Sequence, residues 1–449
     1  MMKNEEVRFR KYIKEVPLEY RTCILSSLNS IQGVYPVFVH EMPAPAWKKR
    51  RFEDIGKAVW DKIQQNLKYG GNAISIYIHI PFCKGEKCGF CDCLSAPMDK
   101  DTPVEKFVEK LTRDIRLWSN IPGINQKQVS IVYFGGGTPN SLPDREFRLV
   151  LKELHEGFNV DDRTQISVEC PGKLMTGVRM EFLKSLKVCR ISTGIQTLEE
   201  PLRQKIGCDI TPNSVLRRIR KWKEKGFIIG GDVIYGLPEQ TMEGLISTLT
   251  RIANTGIDGL SFYRFVVSIR NRDFVNHTFP GYEKDEVYNY ILFQIGHKIL
   301  IDAGYHKNHF IHFAKNDDNL YYRHMLRGED LVAIGPTADG IIGNYRYRQP
   351  HVKEYLEVEH MEHPVFEGGM EELVGEVKVR KASVEIMCNT IRKETFRDLG
   401  IEGLFHKWES NKLIIKVNDN SYGLSANGSW LIDQLIHELY RVKNGSCRK

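Results

Sequence analysis

From about residue 73 the chain alternates short apolar runs rich in β-branched residues with longer stretches whose apolar positions recur at helical spacing. Runs at 74–80, 129–134, 165–169, 189–195, 227–234 and 259–265 predict strands buried on both faces. Segments at 103–118, 145–157, 213–226 and 242–255 have the length and period of amphipathic helices. This alternation predicts an α/β fold with a parallel sheet and right-handed crossovers. Six such units are too few for a closed eight-fold barrel, so a partial (β/α)6 TIM-like barrel is expected. Chemistry in such folds sits at the C-terminal ends of the strands.

The ends of the chain break the pattern. The first 70 residues hold Pro-rich stretches (Tyr35-Pro36, Met42-Pro-Ala-Pro-Ala-Trp47) and the basic run Lys48-Lys-Arg-Arg51. They read as an N-terminal arm, either a lid on the barrel mouth or a packed wrap; the basic run by itself fits a solvated face. The charges of Arg217-Arg-Ile-Arg-Lys-Trp-Lys-Glu-Lys225 fit the exposed side of a helix. Beyond about residue 370, a helix at 382–392, a strand at 413–417, Leu424-Ser-Ala-Asn-Gly428 and a helix at 429–439 predict a small winged-helix-like α/β cap. A DNA-binding winged helix has the same cadence, but the recognition-helix region is not basic. The expected units are an arm or lid at 1–70, the barrel at 71–310, an extension at 311–370 and the cap at 371–449.

Bulk composition changes little. Of 449 residues, 41% are hydrophobic and 27% charged, ordinary for a globular chain, and the net charge of +7 falls short of a nucleic-acid binder's basic stripe. No apolar run reaches membrane-span length, and Met-Met-Lys-Asn-Glu-Glu-Val is no signal peptide. Ten cysteines, four of them clustered, suit a reducing compartment, so a cytoplasmic monomer is expected.

The cluster is Cys83-Lys-Gly-Glu-Lys-Cys88-Gly-Phe-Cys91-Asp-Cys93, directly after the first predicted strand. Three closely spaced thiolates suit three irons of a [4Fe–4S] cubane and leave the fourth iron open, whereas ferredoxin-type runs supply four. The open iron can be chelated by a small molecule carrying an amine and a carboxylate. Structural zinc would call for a second Cys or Cys/His pair, which is absent. Polar groups recur at later strand ends: Gly135, Gly136, Gly137 and Thr138 in Tyr133-Phe-Gly-Gly-Gly-Thr-Pro139, then Glu169, Gln196 and Asp232. One such residue would more often be structural. In series at one end of the barrel, they favour a polar ligand across its mouth.

Tyr77-Ile-His-Ile-Pro-Phe-Cys83 with Cys88-Gly-Phe-Cys91-Asp-Cys93 resembles the signature of the HemN-like radical S-adenosylmethionine (SAM) family. Gly135-Gly-Gly-Thr-Pro139, Ile191-Ser-Thr-Gly-Ile-Gln196, Asp232-Val-Ile-Tyr-Gly-Leu-Pro238, His312-Phe-Ala314 and Asp330-Leu-Val-Ala-Ile-Gly335 match its later blocks in order. The resemblance implies that Cys83, Cys88 and Cys91 ligate the cluster, with Cys93 as the non-ligating fourth cysteine and, with Tyr77, the catalytic pair. It implies that Tyr77, Gly135, Gly136, Gly137, Thr138, Glu169 and Gln196 hold one SAM, and that Asp232 and Ile311 help place a second. An external one-electron donor such as flavodoxin or ferredoxin, and a planar ring substrate of tetrapyrrole type, follow from the same likeness.

Two departures stand out. Four residues, not the usual three, separate Cys83 from Cys88. Cys208 replaces the usual arginine twelve positions after Gln196, so that Arg203 or Arg264 would have to serve. The glycine-rich stretch Ile334-Gly-Pro-Thr-Ala-Asp-Gly-Ile-Ile-Gly-Asn-Tyr-Arg-Tyr-Arg348 resembles the methyltransferase and heme-opening branches, so methyl or methylene transfer to an sp² carbon is the leading expectation. Cys93 and His312-Phe-Ala-Lys-Asn-Asp-Asp318 resemble the coproporphyrinogen III dehydrogenase, which makes decarboxylation the alternative. Heme delivery is a third reading, in which the chaperone block survives only as Asn319-Leu-Tyr-Tyr322.

Overall fold

The computed structural model describes residues 2–31, 56–67, 71–85, 87–358 and 362–446. The Pro-rich stretches and basic run of the arm, and Cys447, lie outside the described residues.

A twelve-stranded sheet organises the fold. Its strands are β1 (Ala73–Ile80), β2 (Gln128–Gly136), β3 (Gln165–Glu169), β4 (Arg190–Gln196), β5 (Ile228–Tyr235), β6 (Gly259–Arg264), β7 (His306–His309), β8 (His312–Ala314), β9 (Asp330–Ile334), β10 (Asp339–Ile342), β11 (Tyr345–Arg348) and β12 (Gly368–Glu371). The spatial order is β12-β11-β10-β9-β1-β2-β3-β4-β5-β6-β8-β7. From β9 through β6 every pairing is parallel. The flanks, β8 and β7 on one side and β10 to β12 on the other, pair antiparallel. The six expected strands all form, and β9 adds a seventh parallel strand on the free edge of β1. A local apolar pattern carries no information about that partner, which lies some 250 residues downstream by the pairing Ile74 to Asp330.

Amphipathic helices cover the sheet: α1 (Met2–Glu15), α2 (Leu18–Ile31), α3 (Lys57–Leu67), α4 (Val104–Ser119), α5 (Asp144–Gly157), α6 (Gly177–Ser185), α7 (Pro212–Glu224), α8 (Met242–Ala253) and α9 (Glu286–Asp302). Their apolar faces and the strands share one core, with Trp118, Trp222, Phe107, Phe134 and Phe147 buried in it. Thr176, Thr211 and Thr241 cap α6, α7 and α8 by accepting backbone N–H bonds, which fixes where three crossovers turn into helix. The N-terminal pair α1 and α2 packs on α9, where the Tyr12 hydroxyl donates to Asp285 Oδ2 at 2.8 Å.

The C-terminal region forms α10 (Val374–Met387), α11 (Lys393–Asp398), α12 (Glu402–Ser410), a two-stranded wing (Ile414–Lys416 with Tyr422–Leu424), α13 (Ala426–Trp430) and α14 (Ile432–Ser446). Asn427 ties this region to the barrel: its Oδ1 accepts from Tyr290 Oη at 3.0 Å and from Gln294 Nε2 at 3.2 Å. No helix among the described residues is long and apolar enough to cross a membrane.

Candidate active site

At the C-terminal end of β1 the chain enters the cysteine loop. Phe82–Lys84 pairs in parallel with Ala96–Met98, a small ribbon that closes the loop at its base. Gly137 and Thr138 pin the ribbon to β2: their amides donate to Ile80 O and Phe82 O, each at 2.7 Å. A Cβ at Gly137 would stand 2.6 Å from the Phe82 carbonyl oxygen, so the third glycine of the triplet is required by this backbone approach. Gly136, at φ 109°, clears the His79 ring, and Gly135 clears Tyr77, Tyr133 and Glu169.

Every described cysteine is a free thiol. Among the described residues no three His, Cys, Asp or Glu side chains converge on one point, the arrangement a single ion needs. A cubane instead takes one thiolate per iron, and the donor chemistry suits it. Cys93 donates its thiol and its N–H (3.4 Å) to Cys91 Sγ, which holds the Cys91 thiol below its ordinary value and favours the thiolate a metal needs. Burial pushes Cys88 up to about 11, with the nearby Cys91, Cys208 and Cys83 sulfurs adding to it. Such a thiol gives up its proton when a cation arrives.

Behind the loop lies the barrel lumen. Tyr77, Glu169, Gln196, Asp232, Tyr263 and Tyr321 keep accessible surface although they stand deep in the fold, and Tyr322 is 40% exposed there. Tyr77 Oη and His79 Nδ1 are 3.0 Å apart, and the Tyr133 hydroxyl donates to Glu169 Oε1 at 2.9 Å. Burial raises Glu169 to about 8, against the Tyr133 hydrogen bond and with the Asp232 carboxylate adding to the rise. Burial likewise lifts Asp232 to about 6, opposed by a hydrogen bond from Ser261. Cys93 sits within electrostatic reach of Glu169 and Tyr77, so the loop and the lumen are contiguous. Gln196 holds φ 67° next to a bulge in β4, an unusual backbone for a non-glycine residue and a frequent mark of functional positions.

Of the expected strand-end residues, Gly135 lies against Tyr77 and Glu169, and Asp232 is within electrostatic reach of Glu169, while Gln196 ends the intervening strand β4. Ile311 accepts the Phe262 amide at 2.8 Å beside β6. Gly137 spends its amide on Ile80 O at the end of β1, and Thr138 spends its amide on Phe82 O in the ribbon. Neither candidate substitute for the arginine missing at Cys208 is free. The Arg203 guanidinium donates to the carbonyls of Ile195, Thr197 and Ile210 at 2.6–2.9 Å. Arg264 pairs with Glu286 and lies over the Trp430 ring at 5.3 Å.

Sequence reasoning left Tyr133, Tyr263, Tyr321 and Tyr322 without a site role. A short turn at Leu320–Arg323 sends Tyr321 against Tyr133 (ring centroids 4.5 Å) and Tyr77 (5.3 Å), both stacked. Tyr322 stacks on His309 at 4.7 Å and is hydrogen-bonded to Tyr263. Asn319, at φ 44°, starts the turn and donates its amide to Asp317 Oδ1 at 3.0 Å. Asp317 is gripped by Arg190 Nε (2.9 Å) and a second guanidinium nitrogen (2.7 Å), both partners fully buried. Burial opposes ionisation of Asp317, but the Arg190 charge outweighs it and holds the carboxyl well below its usual range. The signal for this turn is the polar run Lys315-Asn-Asp-Asp-Asn319, followed after Leu320 by two aromatics, Tyr321 and Tyr322.

With this geometry in hand, comparison with known proteins identifies the class. Residues 77–252 match the Radical SAM superfamily, and the chain carries a radical SAM domain. Within that class its similarity is to HemN and HemW proteins, as the sequence motifs predict. The heme chaperone HemW of Buchnera aphidicola (subsp. Acyrthosiphon pisum) is 28% identical over 273 residues, 60% of this chain and 70% of that protein. The oxygen-independent coproporphyrinogen III oxidase of Escherichia coli K12 is 26% identical over 326 residues, covering 68% and 69%. The solved structure of coproporphyrinogen III oxidase (HemN) from Escherichia coli superposes with a TM-score of 0.73 at 21% identity, over 86% of this chain and 94% of that one, and shares the fold. A radical SAM domain implies a [4Fe–4S] cluster and SAM.

Proposed function

We propose that this chain is a radical SAM enzyme that oxidatively decarboxylates a propionate side chain on a tetrapyrrole. The observation that carries the reading is the electrostatic reach of Cys93, in the cysteine loop, to Tyr77 and Glu169 at the strand ends, and of Glu169 to Asp232. When bound, the cluster on Cys83, Cys88 and Cys91, together with SAM, supplies a 5′-deoxyadenosyl radical. Glu169 and Gln196, with Tyr77 and the Gly135–Gly137 turn, hold one SAM; Asp232 and Ile311 contribute to a second. Glu169, protonated in the free protein, releases its proton to take up a cationic or diol group. The stacked Tyr77, Tyr133 and Tyr321 rings keep water from that space. On the substrate, one hydrogen leaves the carbon β to the carboxyl carbon, carbon dioxide departs and one electron passes to an acceptor, leaving a vinyl group. A flavodoxin or ferredoxin supplies the cluster's electron, and the protein works as a cytoplasmic monomer.

Decarboxylation is preferred to methyl or methylene transfer for two reasons. Several of the related proteins are named coproporphyrinogen III oxidases. The 334–348 stretch that favoured transfer is a β-meander whose distinctive side chains are committed elsewhere. Tyr345 and Tyr347 are buried, and the Tyr347 hydroxyl bonds both the amide and the carbonyl of Ala333. Arg346 pairs with Glu372 and Arg348 with Asp339, each at 2.6 Å.

The test is anaerobic incubation of reconstituted, reduced protein with SAM and coproporphyrinogen III. Decarboxylation gives 5′-deoxyadenosine, carbon dioxide and a vinyl product. S-adenosylhomocysteine without carbon dioxide would instead mark methyl transfer, and tight heme binding without 5′-deoxyadenosine would mark a carrier.

A further inference from the structure

A cavity of about 180 Å³ lies beside the cysteine loop, between Cys93–Ala96 and the segments around Thr337 and Val352. It is smaller than the roughly 300–1,000 Å³ that whole ligands occupy, and suits a single side chain. Its walls are part apolar, with Leu94, Pro336 and Val352, and part cationic, with Lys87 and Arg270. No carboxylate is among its described lining residues. Both cations are anchored: Lys87 Nζ donates to Cys93 O at 2.6 Å, and Arg270 meets Asp92 at 3.0 Å.

Two features of the wall point to an occupant. Ser95 Oγ is buried and, among the described residues, has no hydrogen-bond partner, a cost that a polar ligand atom would relieve. Thr337 holds φ 61°, a left-handed conformation unusual for a β-branched residue. Its amide is held by Pro350 O at 2.9 Å and its hydroxyl stands 3.4 Å from His79 Nε2. Backbone strain maintained in this way is typical of ligand clamps.

We propose that this cavity is a subsite for one short aliphatic carboxylate, the side chain of a ring that carries several. The inference rests on the ring-substrate reading above and deepens it. Methylenes lie against Leu94 and Val352, the carboxylate accepts charge-assisted bonds from Lys87 and Arg270, and the Ser95 hydroxyl supplies a further donor. Because Cys93 lines this cavity and lies within electrostatic reach of Glu169 and Tyr77, a side chain seated here anchors its ring beside those strand ends.

The probe is sodium propionate, with neutral propionamide as control, followed by saturation-transfer NMR on the reconstituted full-length protein. Propionate is expected to bind and propionamide to bind at least tenfold more weakly. The double variant K87Q/R270Q should cut propionate affinity by tenfold or more, and V352W, which fills the cavity, should abolish binding with cluster absorbance retained. Equal binding of the two probes, or undiminished propionate binding in V352W, would overturn the subsite. Propionate binding that persists where no coproporphyrinogen is turned over would leave the subsite standing and remove only the ring-substrate reading.

Discussion

Glu169, at the end of β3, and Asp232, on β5, interact electrostatically, and the buried Arg190 guanidinium acts on both. Burial dominates, so Glu169 keeps its proton to about pH 8 in the fold, against an ordinary value of 4.5. The folded state therefore binds more protons than the unfolded chain across that interval, and stability falls as pH rises through it. Asp232 acts in the same direction between 3.8 and about 6. Glu169→Gln removes the first contribution, so the drop in Tm between pH 6 and pH 8.5 should be smaller than in the wild type. An identical drop would show that Glu169 is ionised in the free protein. Sequence alone located Glu169, because an acid at the end of an apolar strand is anomalous. It gave no sign of the ionisation state, which depends on burial and on residues from three other strands, Tyr133 and Gly136 of β2, Arg190 of β4 and Asp232 of β5.

At the scale of elements, the alternating pattern made six of the seven parallel strands and four of the helices between them legible to within a residue or two. The cysteine loop and the polar strand ends were legible for the same reason, since each departs from what local structure requires. The turn at Leu320–Arg323 was not, although its residues were in view. Its place depends on the non-local pair Arg190–Asp317, which fixes Asn319 in the left-handed conformation and aims Tyr321 and Tyr322 into the lumen. Removing one partner of a fully buried pair leaves the other charge unpaired, at a cost of about 3–5 kcal/mol. Arg190→Met should lose stability of that order in urea unfolding and expose tyrosine in near-UV spectra. The double change R190M/D317L should recover much of the loss. A single variant as stable as the wild type would show that the pair does not hold the turn.

For the whole molecule, the sheet serves as a frame that brings a loop after β1, the strand ends of β2 to β6 and a turn 240 residues downstream of that loop to one cavity. The N-terminal helices and the C-terminal region pack together on α9, where Asn427 Nδ2 also donates to Ser27 O at 2.6 Å. These joins were beyond the sequence because they are made by single polar residues with no periodic signature. The central claim is that three thiolates hold a cluster with one open iron from which SAM is cleaved. Anaerobic reduction of the reconstituted protein with SAM, read as 5′-deoxyadenosine by mass spectrometry, tests it most directly. Wild-type protein should release 5′-deoxyadenosine, and Cys88→Ala should lose both the cluster absorbance and the product. A wild type that binds zinc in place of iron, or a C88A variant that still yields 5′-deoxyadenosine, would contradict the account.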